Sequence, residues 1–184
     1  THSTKSNQLD KLKKNKPIYI YAHNHGYNEY LRFLNNKKNI KTNNTAVFID
    51  EDITNHSDYL FNNLKPFATK EKYFDNFNNF LEKISTLFNI NPIVAAHPKA
   101  DLVELSKYYK YKCYKNKTYD LLSKSDLVIA FGSTVIEFAV LLKKPILFVT
   151  TDEIQSSLFH DWIVAFADEM DKSIFNMDKD INVK

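Results

Sequence analysis

Asp126-Leu-Val-Ile-Ala-Phe-Gly-Ser-Thr-Val-Ile-Glu-Phe-Ala-Val-Leu-Leu-Lys-Lys-Pro-Ile-Leu-Phe-Val-Thr-Thr151 reads as strand, tight turn, helix, strand. Leu127 to Ala130 is a short apolar run of the kind a parallel strand buried on both faces shows. Gly132 permits a sharp turn that a side chain would resist. Ser133 or Thr134 is placed to cap a helix through Leu142, and Lys143-Lys144-Pro145 ends it. Ile146 to Val149 then opens a second buried strand. Such a corner presents backbone N–H groups and hydroxyls at the positive end of a helix, where a phosphate binds without a side-chain charge. Thr134-x-x-Glu137 is equally the pattern of a capping box, in which two side chains satisfy each other's backbone donors. Both readings stand on this stretch alone.

Working outward, the same alternation recurs. Residues 45–50 predict a strand, followed by an acidic loop with Glu51 and Asp52. Residues 71–88 predict an amphipathic helix, with Phe74, Phe77, Leu81, Ile84 and Phe88 on one stripe. Residues 92–96 form the next buried strand, ended by His97-Pro98-Lys99. A helix over 101–109, a short strand over 111–114 and a helix over 118–124 lead into the central stretch. After it, 152–170 predicts one long helix, apolar at Ile154, Leu158, Trp162, Phe166 and Met170, and the polar tail from Asp171 is expected to fray. Upstream, 1–16 is a polar linker, 17–22 a strand, 23–26 a turn, 30–34 a short helix and 35–44 a Lys/Asn loop. Strands alternating with helices imply an α/β domain over 17–184: a Rossmann-like, mostly parallel sheet with helices on both faces and right-handed crossovers. The strands at Val47, Val94, Val128 and Leu147 are its expected centre.

The 184 residues suit one domain with a sizeable core. Only Gly26 and Gly132 occur, which removes every Gly-rich phosphate loop from consideration. The net charge of +3 is spread along the chain, whereas a nucleic-acid binder gathers its basic residues into a stripe. Lys11, Lys13, Lys14 and Lys16 do cluster, which fits a solvated linker or a peripheral contact with an anionic membrane. Cys113 is the single cysteine, so there is no disulfide framework, and a reducing, cytoplasmic setting is expected. His23 and His25 have metal-ligand spacing but no third ligand near them in sequence, so no metal is expected.

In a doubly wound sheet the carboxyl ends of all parallel strands open on one side. The corner at His97-Pro98-Lys99 and the corner at Gly132-Ser133-Thr134 are therefore expected to face one crevice. An imidazole, a lysine and two hydroxyls converging there suit a diphosphate, and Glu137 suits sugar hydroxyls such as a ribose. Asp50 and Asp58 follow a strand end, where ligands also sit, or else only cap turns.

The pairing of a strand running into His97-Pro98 with Ser125-Asp-Leu-Val-Ile-Ala130, Ser133-Thr134, Glu137 and Lys143-Lys-Pro-Ile-Leu-Phe148 resembles the C-terminal half of GT-B-type glycosyltransferases that build bacterial surface polysaccharides. Capsule polymerases, polysialyltransferases and teichoic acid polymerases share an HP motif, matched by His97-Pro98, and an SS motif, which Ser133-Thr134 resembles with Thr in second place. Val47-Phe-Ile-Asp50 with His56-Ser-Asp58 is similar to a third signature, with Ser57 where that signature has Pro. The resemblance spans roughly Ala46 to Met170. It implies a domain that holds a CMP- or UDP-linked sugar as substrate, without a bound cofactor or metal. His97 would act on the leaving phosphate. Pro98, Lys99, Gly132, Ser133, Thr134 and Glu137 would line the nucleotide site, and Asp50, His56 and Asp58 the sugar side. It also implies a separate N-terminal domain carrying the base, a glycan or lipid-linked acceptor, and work at the cytoplasmic side of the inner membrane, in capsule or lipopolysaccharide assembly. This chain alone would then bind donor without turnover. A nucleotide-sugar epimerase and a non-catalytic scaffold domain are the competing expectations.

Overall fold

The computed structural model describes residues 24–36 and 44–179. The expected linker over 1–16, the strand over 17–22, His23, and the basic cluster from Lys11 to Lys16 lie outside the described residues. Among the described residues six strands form one parallel sheet: β1 Thr45–Ile49, β2 Asn91–Ala96, β3 Cys113–Lys115, β4 Leu127–Ala130, β5 Ile146–Thr150 and β6 Ile174–Asn176. Their spatial order is β3-β2-β1-β4-β5-β6, so the chain reverses direction between β1 and β4. Every pairing is parallel, with Val47 opposite Ile93 on one side and Val128 on the other. This is a Rossmann-like α/β fold, as the alternation in sequence required.

The central strands read as apolar runs because both faces are covered. Ala46 to Phe48 and Val128 to Ala130 are fully buried. Helix α1 spans His25–Asn35, α2 Asp58–Phe61, α3 Lys70–Phe88, α4 Leu102–Leu105, α5 Thr118–Lys124, α6 Ile136–Leu141, α7 Asp152–Gln155 and α8 Phe159–Glu169. With right-handed crossovers, connections on the two sides of the reversal fall on opposite faces, α3 and α4 on one, α5 and α6 on the other. Phe77 of α3 packs on Phe48 with ring centroids 4.1 Å apart, and Tyr119 of α5 meets Phe138 of α6 edge-on at 4.9 Å. Full burial of Phe48, of Phe77 and of Phe138 each stabilises the fold by about 1.5–3 kcal/mol, while Tyr119 is half-buried. Helix α1 packs on α6, with Phe33 edge-on to Phe138 at 6.3 Å. No helix of the described residues is long and apolar enough to cross a membrane.

Several elements differ from the sequence reading. The helix expected over 30–34 begins at His25, because Asn24 caps it by accepting the Tyr27 amide at 2.8 Å. Gly26 thus lies inside a helix rather than in a turn. A methyl group there would fall 1.9 Å from Glu137 Oε1, so the glycine serves the close approach of α1 to α6. The helix expected over 101–109 is one turn, capped by Asp101, and Tyr109 drops into the core. The single helix expected over 152–170 is two. Ser156 and Ser157 hydroxyls bond back to the carbonyls of Glu153 and Ile154, ending the first, and Leu158 is left exposed. The buried stripe is Ile154, Ile163 and Ala167, with Trp162 turned half outward. The polar tail does not simply fray, since Ile174–Asn176 adds β6 to the sheet edge.

The capping reading of the central stretch also changes. Helix α6 begins only at Ile136, after Val135, and no side chain caps it. Ser133 and Thr134 sit in the loop ahead of it, held by the Ile136 amide donating to the Ser133 carbonyl at 3.0 Å. The Glu137 carboxylate does not return to the backbone, because it accepts from Asn24 Nδ2 across the α1–α6 contact. At six residues α6 is under two turns long. It adds little dipole, which leaves the hydroxyls as the main polar feature of this corner. Gly132 also has no positive φ. Its missing side chain makes room for Trp162, whose Cδ1 would lie 2.7 Å from a Cβ, and whose indole N–H donates to the Gly132 carbonyl.

Candidate functional site

The reversal between β1 and β4 splays the loops leaving the two strands, and the space between them is where open α/β sheets take ligands. A cleft of about 450 Å³ lies there. From β1 it is lined by Asp50 and Glu51, from β2 by His97 and Pro98, and from β4 by Gly132, Ser133 and Thr134. The two corners picked out in sequence, more than thirty residues apart, therefore face one opening. His25, Thr118, Tyr119 and Trp162 complete the walls. A volume of this size falls in the range of small-ligand sites.

On the β2 side the polar groups are fixed by one another. The Lys99 amide donates to His97 Nδ1 at 3.3 Å, so the neutral His97 ring carries its proton on Nε2. His56 packs against His97 with ring centroids 4.9 Å apart. Burial, then the neighbouring His56 and Lys99, holds the His97 pKa below its usual value. The neutral ring therefore prevails at pH 7 and serves as an N–H donor rather than a fixed cation. The Lys99 ammonium does not line the cleft. It reaches back to Ser57 Oγ at 3.2 Å and lies 3.8 Å from Asp58 Oδ1. His56 and Asp58 stand beside it, lining an adjoining hollow of about 310 Å³ that shares Glu51 with the main cleft.

Beneath the cleft lies a buried polar cluster. Asp50 is 3 % exposed, and its Oδ1 accepts from the Tyr109 hydroxyl at 2.9 Å and from the Asp52 amide at 3.3 Å. Burial raises its pKa to about 7 against the pull of the Tyr109 hydrogen bond. Glu51 is also raised by burial, with the Ser133 hydroxyl opposing that shift. The cleft thus offers hydroxyl and imidazole donors beside two carboxyl groups whose charge burial resists.

Of the residues expected at the site, His97, Pro98, Gly132, Ser133, Thr134 and Asp50 come together. His56 and Asp58 stand in the adjoining hollow. Lys99 and Glu137 turn away, to the β1–α2 loop and to α1. The sequence reading passed over Glu51 as mere loop acidity, although the strand-end argument applied to Asp50 holds for it equally. It also took Trp162 as core and gave Tyr109 no role. Neither had a local signal, since Trp162 reaches the cleft, and Tyr109 the Asp50 carboxyl, only through the fold. Among the described residues no three His, Cys, Asp or Glu side chains are grouped for a metal ion. Fold and cleft together define a Rossmann-like α/β domain with a crevice at the strand-order reversal. The chain matches no known protein family and no curated protein.

Proposed function

We propose that this domain binds a nucleotide-activated sugar, CMP- or UDP-linked, as the donor-side half of a GT-B-type glycosyltransferase in bacterial surface polysaccharide assembly. The observation that carries the reading is that His97-Pro98 and Ser133-Thr134 line one cleft at the switch point. When the bond from the anomeric carbon to the phosphate oxygen breaks, the electron pair passes to the phosphate. His97 Nε2–H and the hydroxyls of Ser133 and Thr134 would donate to that growing charge, the kind of preorganised stabilisation that works without a metal. Tyr119 and Trp162 supply aromatic walls for a base. Glu51 takes the place foreseen for Glu137 as acceptor for sugar or ribose hydroxyls. A catalytic base and a glycan or lipid-linked acceptor would come from a second domain, at the cytoplasmic side of the membrane.

Trp162 is the single tryptophan and lines the cleft, so its fluorescence reports occupancy. Titration with CMP, UDP and their sugar conjugates should quench or shift it with micromolar to millimolar midpoints, and His97→Ala should weaken binding about tenfold. No response at 10-fold above about 1 mM nucleotide would overturn the reading and favour a scaffold domain. The pair of cleft carboxyls, the buried Asp50 and the half-buried Glu51, favours one rival, a nucleotide-sugar epimerase. Epimerised or hydrolysed UDP-N-acetylhexosamine, without any acceptor, would decide for it.

A further inference from the structure

Asp50 Oδ1 is satisfied, but Oδ2 is buried without a hydrogen-bond partner among the described residues, while Asp50 lines the cleft. Leaving a buried carboxyl oxygen unpaired costs stability, and completion by a bound ligand, water or ion is one reason such an atom is retained. The groups around it are few. Glu51, Asp52 and His56 lie on the loop after β1, His97 on the loop after β2, Tyr109 ahead of β3, Tyr73 on α3 and Cys113 on β3. Among the described residues no lysine or arginine bonds either oxygen of Asp50. The low-dielectric surroundings and the neighbouring Asp52 carboxyl both resist a negative charge at this point. Tyr109 and the Asp52 and His97 backbone favour the anion, yet burial outweighs them and the midpoint stays near 7.

We propose that Asp50 is a ligand-binding residue that carries its proton in the free protein and donates Oδ2–H to a phosphate oxygen seated between His97 and Ser133. The proposal rests on the nucleotide reading of the cleft and adds to it a proton linked to binding. An O–H···O⁻ bond to a phosphate is charge-assisted and short, whereas an ionised Asp50 in the same place would repel the ligand. Anion affinity therefore falls about tenfold per pH unit once the pH exceeds the Asp50 midpoint. Burial holds the His97 midpoint below its ordinary value, so the neutral ring is already the main form where that fall occurs. Removing the Tyr109 hydroxyl removes a group that favours ionised Asp50, so Tyr109→Phe should move the fall to higher pH.

The test follows the Asp50 carboxyl carbon by NMR from pH 4 to 9, alone and with CMP, UDP or inorganic pyrophosphate. The free protein should show a midpoint near 7, and a bound probe should raise it by about one unit or more. Fluorescence titrations of the same protein, of Tyr109→Phe and of Asp50→Asn should show the affinity fall above pH 7, its upward shift, and its disappearance, since a carboxamide donates at every pH. A free midpoint below 5, a midpoint moved by none of the three probes, or an Asp50→Asn profile identical to that of the unaltered protein would overturn the proposal. A midpoint raised by pyrophosphate but by neither nucleotide would uphold the role of Asp50 and overturn the nucleotide reading alone.

Discussion

The two walls of the cleft start from one plan, a parallel strand running into a polar loop, and end in opposite states. On the β1 and β2 side the polar groups are locked together: the Lys99 amide on His97, His56 against His97, Tyr109 on Asp50. On the β4 side the loop from Phe131 to Val135 carries no titratable side chain and is set by the fit of Gly132 under Trp162. The first wall is hydrogen-bonded within itself and anchored on the buried Asp50, so a change at that carboxyl alters the protein's stability as well as its ligand. The second is a rim whose hydroxyls can be removed with little consequence for folding.

The largest effect expected from that difference is a pH dependence of stability through Asp50. Its folded midpoint of about 7 lies above the ordinary 3.8, so the folded chain holds a proton that the unfolded chain has released. This contribution is complete below about pH 4 and is lost as the pH rises through 7. The rise from 3.8 to about 7 sets a ceiling on the order of a few kcal/mol. Urea denaturation from pH 4 to 8 should show the loss, and Asp50→Asn should flatten it. Tyr109→Phe comes next. It takes away the hydrogen bond to Oδ1 and should cost about 1–3 kcal/mol, more at pH 8 than at pH 5, because the ionised carboxylate needs that donor more. Gly132→Ala should cost about 1–3 kcal/mol by driving a methyl into the indole, and the fluorescence of Trp162 should shift with it. Smallest is Ser133→Ala. As α6 has no side-chain cap, the melting transition should stay within about 0.5 kcal/mol, below the roughly 1 kcal/mol of a lost cap. Nucleotide affinity should nonetheless drop about fivefold. A destabilised Ser133→Ala protein that binds normally would invert the comparison.

Periodicity alone gave the class of fold, because strands buried on both faces must be continuously apolar and an amphipathic helix must repeat its stripe. It placed β1, β2, β4 and β5 to within about a residue and α3 almost whole. It also brought His97 and Ser133 to one side of the sheet, since parallel strands leave no other choice for their carboxyl ends. It failed where the deciding contact was remote. Lys99 chose the β1–α2 loop, and Glu137 chose Asn24, over the cleft. Ser156 and Ser157 broke the last helix through bonds that compete with its own ladder.

What the order of residues determined by itself was the alternation of elements and the two polar corners, both products of spacing along a single strand or helix. Only the folded arrangement decided which side chains share the cleft, and that Asp50 is buried beneath it with one oxygen unpaired. Burial and charge interaction depend on distances through space, and tyrosines 73 and 109 stand more than twenty and fifty residues from the carboxyl they surround.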